Sequence, residues 1–329
     1  MTYRASENRY KEMKYNRCGS SGLLLPAITL GLWHNFGDEN SLSRIKEMLF
    51  GAFDMGITHF DLANNYGPSA GSAESNFGQI MKSDLKPYRD ELVISTKAGY
   101  YMWEGPYGDG GSKKYLISSL DQSLQRMNLD YVDIFYHHRR DPETPMEETV
   151  EALKTVVDQG KALYVGISNY NAEDSKTMIQ LMRQAGVRCL IHQMYYNMLE
   201  PYNQSVIDVL EEEKVGAIAF SPLAQGRLTD KYFAGIPADS RAASTSPFLN
   251  KNGITEELLH KTKALNEIAK ERGQSLSQMA LAWSLRGHMT STIIGASKLS
   301  QIKENVEAIN HLEFTTEELQ MIDKVLRIP

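Results

Sequence analysis

The feature that most constrains this chain of 329 residues is an eightfold alternation of short apolar runs with segments of helical period. An apolar run broken by a proline spans 22–31 and leads into a helix-like segment over 42–55. The order recurs as 57–60 with 73–81, 92–96 with 114–127, 131–136 with 146–158, 162–167 with 173–184, and 188–193 with 203–213. It ends as 216–220, a long loop, helical segments over 256–271 and 276–285, then 291–294 with 299–309. Strands that are apolar throughout must be covered on both faces, and parallel neighbours need a crossover of a dozen or more residues. Eight strand–helix units therefore predict an α/β chain closed into a (β/α)8 TIM barrel with long βα loops. A last amphipathic segment, 317–326, predicts an extra C-terminal helix across the outside.

An open doubly wound sheet is disfavoured because no G-x-G-x-x-G follows the first strand, and Gly108-Asp109-Gly110-Gly111 lies in a loop without the required flanks. No linker or low-complexity stretch divides the sequence, so 1–329 reads as a single domain. Acidic residues outnumber basic ones by 41 to 35, a net charge of −6, which leaves no basic field to draw nucleic acid or anionic lipid and points to small-molecule partners. Cys18 and Cys189 stand far apart with no CxxC, so neither a disulfide framework nor a metal site is expected, and a reducing cytoplasm is the natural location. The polar first 15 residues and the absence of a long apolar run predict a protein that neither enters nor spans a membrane.

In such barrels the C-terminal strand ends share one face, where chemistry is found. The second run ends in Asp61 with Tyr66 just beyond, the third in Lys97, and the fourth in His137-His138. Taken alone, Asp61 caps a turn and Tyr66 packs on a loop; the neighbouring strand ends supply partners. A phenol with an ordinary pKa near 10 is a poor acid at neutral pH, and a nearby ammonium favours its ionised form, so Lys97 is expected to activate Tyr66. Asp61 would pair with Lys97, while a histidine donates to a substrate oxygen. The set suits protonation of a carbonyl oxygen as hydride reaches its carbon. Adjacent residues point to opposite faces, so at most one of the two histidines enters the site. No HExxH, Ser-His-Asp spacing or phosphate-binding P-loop competes.

Along nearly its whole length the chain resembles the aldo-keto reductase superfamily, and within it the bacterial L-glyceraldehyde 3-phosphate reductases. The likeness is carried by Gly31-Leu32-Trp33-His34-Asn35-Phe36-Gly37, Asp61-Leu62-Ala63-Asn64-Asn65-Tyr66-Gly67-Pro68, Ser95-Thr96-Lys97-Ala98-Gly99-Tyr100 and Gly105-Pro106-Tyr107-Gly108. The resemblance implies a catalytic tetrad of Asp61, Tyr66, Lys97 and His138. It selects His138 because the family's histidine is followed by arginine, here Arg139; His137 stands where a small residue is expected, a departure that bears on substrate fit.

The resemblance also implies that Ser168, Asn169 and Gln193 meet a nicotinamide carboxamide, with Phe220 stacked on the ring and Trp33 and Asp61 among the cofactor contacts. Ser221, Pro222, Leu223, Ala224, Gln225, Gly226 and Lys231 would hold the pyrophosphate. Arg241, Gly295, Ala296, Ser297, Gln301, Glu304 and Asn305 would hold the adenosine half. Arg241, able to grip a phosphate bidentately, favours NADPH over NADH. The long segment 226–255 exceeds ordinary loop length and is expected to fold over bound cofactor. The implied activity is NADPH-dependent transfer of the pro-R hydride to small aldehydes, with L-glyceraldehyde 3-phosphate and methylglyoxal as leading substrates. A homo-oligomer, tetramer or octamer, fits the same resemblance. Two alternatives stand beside it: an NADPH-sensing regulatory subunit resembling the potassium-channel β-subunits, which carry asparagine at the tetrad histidine, and a cofactor-free isomerase or aldolase using Lys97 as a Schiff base.

Overall fold

In the computed structural model, which describes residues 3–238, 240–243 and 249–327, the apolar runs close on one another as a parallel barrel. An antiparallel hairpin precedes it: β1 (Tyr15–Arg17) pairs with β2 (Leu24–Pro26), Tyr15 opposite Pro26. The run at 22–31, expected to be one strand, is thus two. Proline has no N–H for a central ladder, so the barrel strand begins only after it. The barrel comprises β3 (Ile28–Gly31), β4 (His59–Asp61), β5 (Val93–Ala98), β6 (Val132–His137), β7 (Ala162–Ser168), β8 (Cys189–Tyr195), β9 (Gly216–Phe220) and β10 (Met289–Ile294). From β4 onward each pairs with its predecessor in the chain, and β10 closes the ring on β3 with Ile293 opposite Thr29.

Helices α1 (Leu42–Asp54), α2 (Ser72–Ile80), α3 (Lys113–Met127), α4 (Met146–Asp158), α5 (Ala172–Gln184) and α6 (Gln204–Glu213) fill the successive crossovers from β3 to β9. Two helices, α7 (Glu256–Glu271) and α8 (Leu276–Ser284), follow the long loop after β9; α9 (Leu299–Val306) follows β10. The last helix, α10 (Thr316–Arg327), packs outside against α7, as the terminal amphipathic segment predicts. Helix starts carry their caps in the sequence: Ser41, Ser112, Asn171, Thr255 and Ser275 each accept a backbone N–H of the first turn.

Side-chain alternation sorts the barrel residues. Outward positions such as Phe60, Ile94 and Phe135 join the large core between strands and helices. Inward positions divide the interior into two parts. Ile134, Tyr136, Ile191, Ile218 and Ile293 form an apolar wall, joined by Cys18 and Leu25 of the hairpin region. Beside it, Thr29, His59, Ser95 and Ser291 are buried and polar.

Helices α2 and α3 approach most closely where Gly78 leaves space: a Cβ there would stand 2.1 Å from Arg126 O and 2.8 Å from Met127 Cα. Both are backbone atoms, which no rotamer change can relieve. Gly78→Ala is expected to lower folding stability by about 1–3 kcal/mol, the usual cost of overpacking, read as a lower urea midpoint. An unchanged midpoint would mean the helix pair separates freely.

Candidate active site

The loop after β4 continues the ladder beyond the strand: Leu62 N donates to Ser95 O at 2.8 Å and Asn64 N to Lys97 O at 2.9 Å. A turn closed by Tyr66 N to Ala63 O at 3.1 Å then folds Tyr66 back over the strand ends. The fully buried Lys97 ammonium has three protons and three acceptors: Asp61 Oδ2 at 2.6 Å, Leu62 O at 2.6 Å and Tyr66 OH at 3.3 Å. Asp61 Oδ1 accepts from Ser95 Oγ at 2.7 Å and Gln193 Nε2 at 3.1 Å. The Tyr66 ring lies 6.0 Å from Trp33 and 5.9 Å from His138, and Tyr100 meets His138 edge-on at 4.7 Å.

Burial governs the protonation of this cluster. It pushes the Tyr66 phenol well above its usual 10, with the Asp61 charge adding to the shift. Removal from water disfavours a phenolate more than the Lys97 ammonium favours it, so the lowering expected from the sequence is reversed. Burial also pulls Lys97 down against the pull of Asp61. His138 is held well below 6.5 by burial and then by Lys97, and is a neutral imidazole whose buried Nδ1 has no partner among the described residues.

Strand parity separates the two histidines. His138 follows Ile134 and Tyr136 inward; His137 turns outward, its Nδ1 2.6 Å from Tyr170 OH. There it packs closely against the loop before α3: a Cβ on Gly111 would stand 2.9 Å from His137 Nε2. Arg139 donates to Gly99 O at 2.7 Å, pairs with Asp109 at 2.9 Å and lies over the Tyr100 ring, whereas Arg140 donates to Thr144 O at 3.1 Å.

The residues expected around a nicotinamide gather beside the tetrad. Asn169, with φ 56°, donates from Nδ2 to His138 O at 3.0 Å and to Ser168 Oγ at 3.2 Å. Half-buried Phe220 ends β9 edge-on to Tyr195. The turn through Ser221, Pro222, Leu223, Ala224, Gln225 and Gly226 has positive φ at Ser221, Ala224, Gln225 and Gly226. Ala224 N and Gly226 N close the turn internally, donating to Ser221 O and Leu223 O at 2.9 Å each. Gln225 Oε1 in this turn is buried without a partner among the described residues, an acceptor free for a ligand donor. These features fit a dinucleotide.

The adenosine-side residues are more engaged than expected. Ser297 N, expected beside the adenosine half, already donates to Gln301 Oε1 at 2.8 Å. Glu304 Oε1 accepts from Ser275 at 3.0 Å and Ser277 at 2.9 Å; Asn305 is buried, and beyond Gly295 the space is open. Lys231 is exposed on a short turn, and the side chain of Arg241 lies outside the described residues. Arg44 was not anticipated: it braces this loop by donating from Nε to Ser297 O at 3.0 Å. Asn64 was likewise missed, although its Nδ2 donates to Tyr115 OH at 3.0 Å, and that hydroxyl donates to Tyr100 O at 2.5 Å.

A closed eight-stranded parallel barrel with this cluster at its strand ends is the architecture of a barrel oxidoreductase, and comparison with known proteins gives the family. The chain belongs to the aldo/keto reductase family, whose model matches residues 27–327. It is 54% identical over 330 residues to a protein of Escherichia coli (strain K12) named L-glyceraldehyde 3-phosphate reductase, covering 98% of this chain and 95% of that one. It is 35% identical over 319 residues to a protein of Oryza sativa subsp. japonica named "Probable voltage-gated potassium channel subunit beta", covering 95% of each. Among the described residues no helix is long and apolar enough to cross a membrane, and no cluster of His, Cys, Asp or Glu could hold a metal.

Four histidines are buried as neutral rings. Burial lowers His59 from 6.5 to about 4, His137 to about 3 and His192 to about 3, with His138 well below its usual value. Below pH 6.5 the unfolded chain binds protons at these positions and the native chain does not, so stability is lost as pH falls from 6.5 towards the folded values. Each of the four adds to that loss for as long as its folded ring stays neutral. Urea midpoints are expected to be flat above pH 7 and to drop steeply below 6.5. A flat profile down to pH 5 would show that these rings charge within the fold.

Proposed function

We propose that this protein is a cytoplasmic NADPH-dependent reductase of small aldehydes, with L-glyceraldehyde 3-phosphate as leading substrate and methylglyoxal-like carbonyls beside it. The observation that carries the reading is the buried Lys97 ammonium, joined to Asp61, Leu62 O and the Tyr66 hydroxyl, beside a neutral His138. A carbonyl oxygen held between Tyr66 OH and the His138 N–H takes its proton from Tyr66, the general acid. The phenolate left behind faces Lys97 Nζ, so charge develops where a fixed cation stands ready. A nicotinamide held by Ser168, Asn169 and Gln193 against Phe220 supplies hydride to the carbonyl carbon when bound. The raised pKa of Tyr66 keeps its proton in place until the oxygen develops negative charge.

The 54% identity to the E. coli reductase supports the phosphorylated substrate. Arg139 supports it too, since its charge sits over the Tyr100 ring that touches His138. Its pair with Asp109 is partly exposed, with side-chain exposures of 34% and 46%, so a phosphate can replace the carboxylate at small cost. The 35% identity to the rice protein supports a second reading, an NADPH-sensing regulatory subunit. Steady NADPH consumption over a panel of aldehydes, phosphorylated and not, with NADH in parallel, favours the enzyme; tight cofactor binding with negligible turnover favours the sensor.

Tyr66→Phe is expected to bind NADPH as the parent does and to lose about 10²–10⁴-fold in aldehyde reduction, the range of a general acid. Full retained activity would remove Tyr66 from the mechanism. The segment 226–255, whose Tyr232, Ala242 and Leu249 form a small cluster of their own, is proposed to close over cofactor. NADPH should then slow limited proteolysis within it, and identical cleavage with and without cofactor would count against closure.

A further inference from the structure

Inside the barrel runs a line of hydrogen bonds that the proton transfer itself does not use. It begins at Asp61 Oδ1, which accepts from Ser95 Oγ at 2.7 Å. Ser95 Oγ lies 2.9 Å from His59 Nε2, His59 Nδ1 lies 3.0 Å from Thr29 Oγ1, and Thr29 Oγ1 lies 2.8 Å from Ser291 Oγ. Thr29, His59, Ser95 and Ser291 are all 0% exposed. They come from β3, β4, β5 and β10, contiguous strands around the barrel, each at an inward position.

The proton positions follow from the carboxylate. Paired with Lys97, Asp61 only accepts, so Ser95 must direct its single hydroxyl proton there. His59 must then donate from Nε2, which leaves Nδ1 as the acceptor of a neutral ring. Thr29 donates to Nδ1, and Ser291 donates to Thr29 in preference to Ala27 O at 3.3 Å. Every donor faces Asp61. Aligned donors polarise one another, so the bond that reaches the carboxylate is stronger than an isolated hydroxyl would make. The low pKa of His59, about 4, agrees with a ring that stays neutral.

We infer that Thr29, His59, Ser95 and Ser291 are positioning residues: they hold the Asp61 carboxylate in the orientation that keeps Oδ2 on Lys97 and Lys97 at the Tyr66 hydroxyl. The inference rests on the proposed tetrad. Among the described residues Asp61 Oδ1 has one other protein donor, Gln193 Nε2 at 3.1 Å, and the proposed cofactor contact draws on that same side chain. With Ser95 lost, Oδ1 would keep only the longer Gln193 bond among the described residues, and the carboxylate would be held less firmly about its own axis.

The test compares Ser95→Ala, Thr29→Val, His59→Leu and His59→Gln in the full chain with NADPH and aldehyde, after circular dichroism and a melting curve establish folding at the assay temperature. Ser95→Ala and His59→Leu are expected to lower kcat about fivefold or more, the rate equivalent of one hydrogen bond, with aldehyde KM and NADPH Kd within about twofold of the parent. Thr29→Val should move kcat the same way by less. His59→Gln, which keeps a donor and an acceptor on one amide, should recover at least half of the loss. If His59→Leu does not fold, the smaller Ser95→Ala change decides. Folded Ser95→Ala and Thr29→Val proteins with unchanged kcat, or a raised KM at unchanged kcat, would overturn the assignment. Asp61→Asn separates the two levels: retained activity in Asp61→Asn defeats the tetrad and this inference together. Loss in Asp61→Asn with unchanged Ser95→Ala and Thr29→Val defeats this inference alone.

Discussion

An ammonium group with no exposure to water is the constraint on which the rest of this structure turns. Burying a charge costs several kcal/mol unless it is paired and fully hydrogen-bonded. Lys97 meets that condition through Asp61, the Leu62 carbonyl and the Tyr66 hydroxyl, all supplied by the chain from β4 into its loop. The parallel register of β4 and β5, with Asp61 opposite Ser95, sets Lys97 one inward step above Asp61. The geometry of the proposed tetrad and charge compensation are therefore one arrangement.

The barrel interior is asymmetric in a way that serves this charge. An apolar wall, joined by the hairpin residues Cys18 and Leu25, gives ordinary core packing, while the polar line from Ser291 to Ser95 ends on the Asp61 carboxylate. Above the strand ends the control passes to loops. Asn64 and Tyr115 fix the backbone at Tyr100, and Arg139 holds Gly99 and stacks on the Tyr100 ring. Tyr100 in turn sets one edge of the space beside His138. Residues distant in sequence thus fix the loops around Tyr66 and His138.

Much of this was legible in the residues. The strand–helix alternation implied the barrel because double-sided burial of parallel strands has few solutions, and Asp61 and Lys97 were recognisable as polar groups closing apolar runs, with Tyr66 just beyond the first. The choice of His138 over His137 came from likeness to the family; parity counted from Ile134 and Tyr136 gives the same answer. The split at Pro26 had its signal in the missing N–H. His59 and Ser95 share the inward parity of Asp61 and Lys97, so their place in the interior was also readable, but a period of two does not tell which inward residues touch. Arg44 carried no local signal, because its contact with Ser297 joins positions 253 residues apart.

What the sequence determined alone is the set of elements, their order and the chemical types waiting at the strand ends, since these depend on periodicity and covalent neighbourhood. Tertiary structure decided the rest. It turned His137 outward, engaged Ser297 with Gln301, committed Arg140 to its own loop, and made the Tyr66 phenol a weaker acid than an ammonium neighbour would suggest. The physical reason is common to all four: hydrogen-bond partners and desolvation are properties of the three-dimensional surroundings, and no local pattern of residues encodes how much water a folded chain removes.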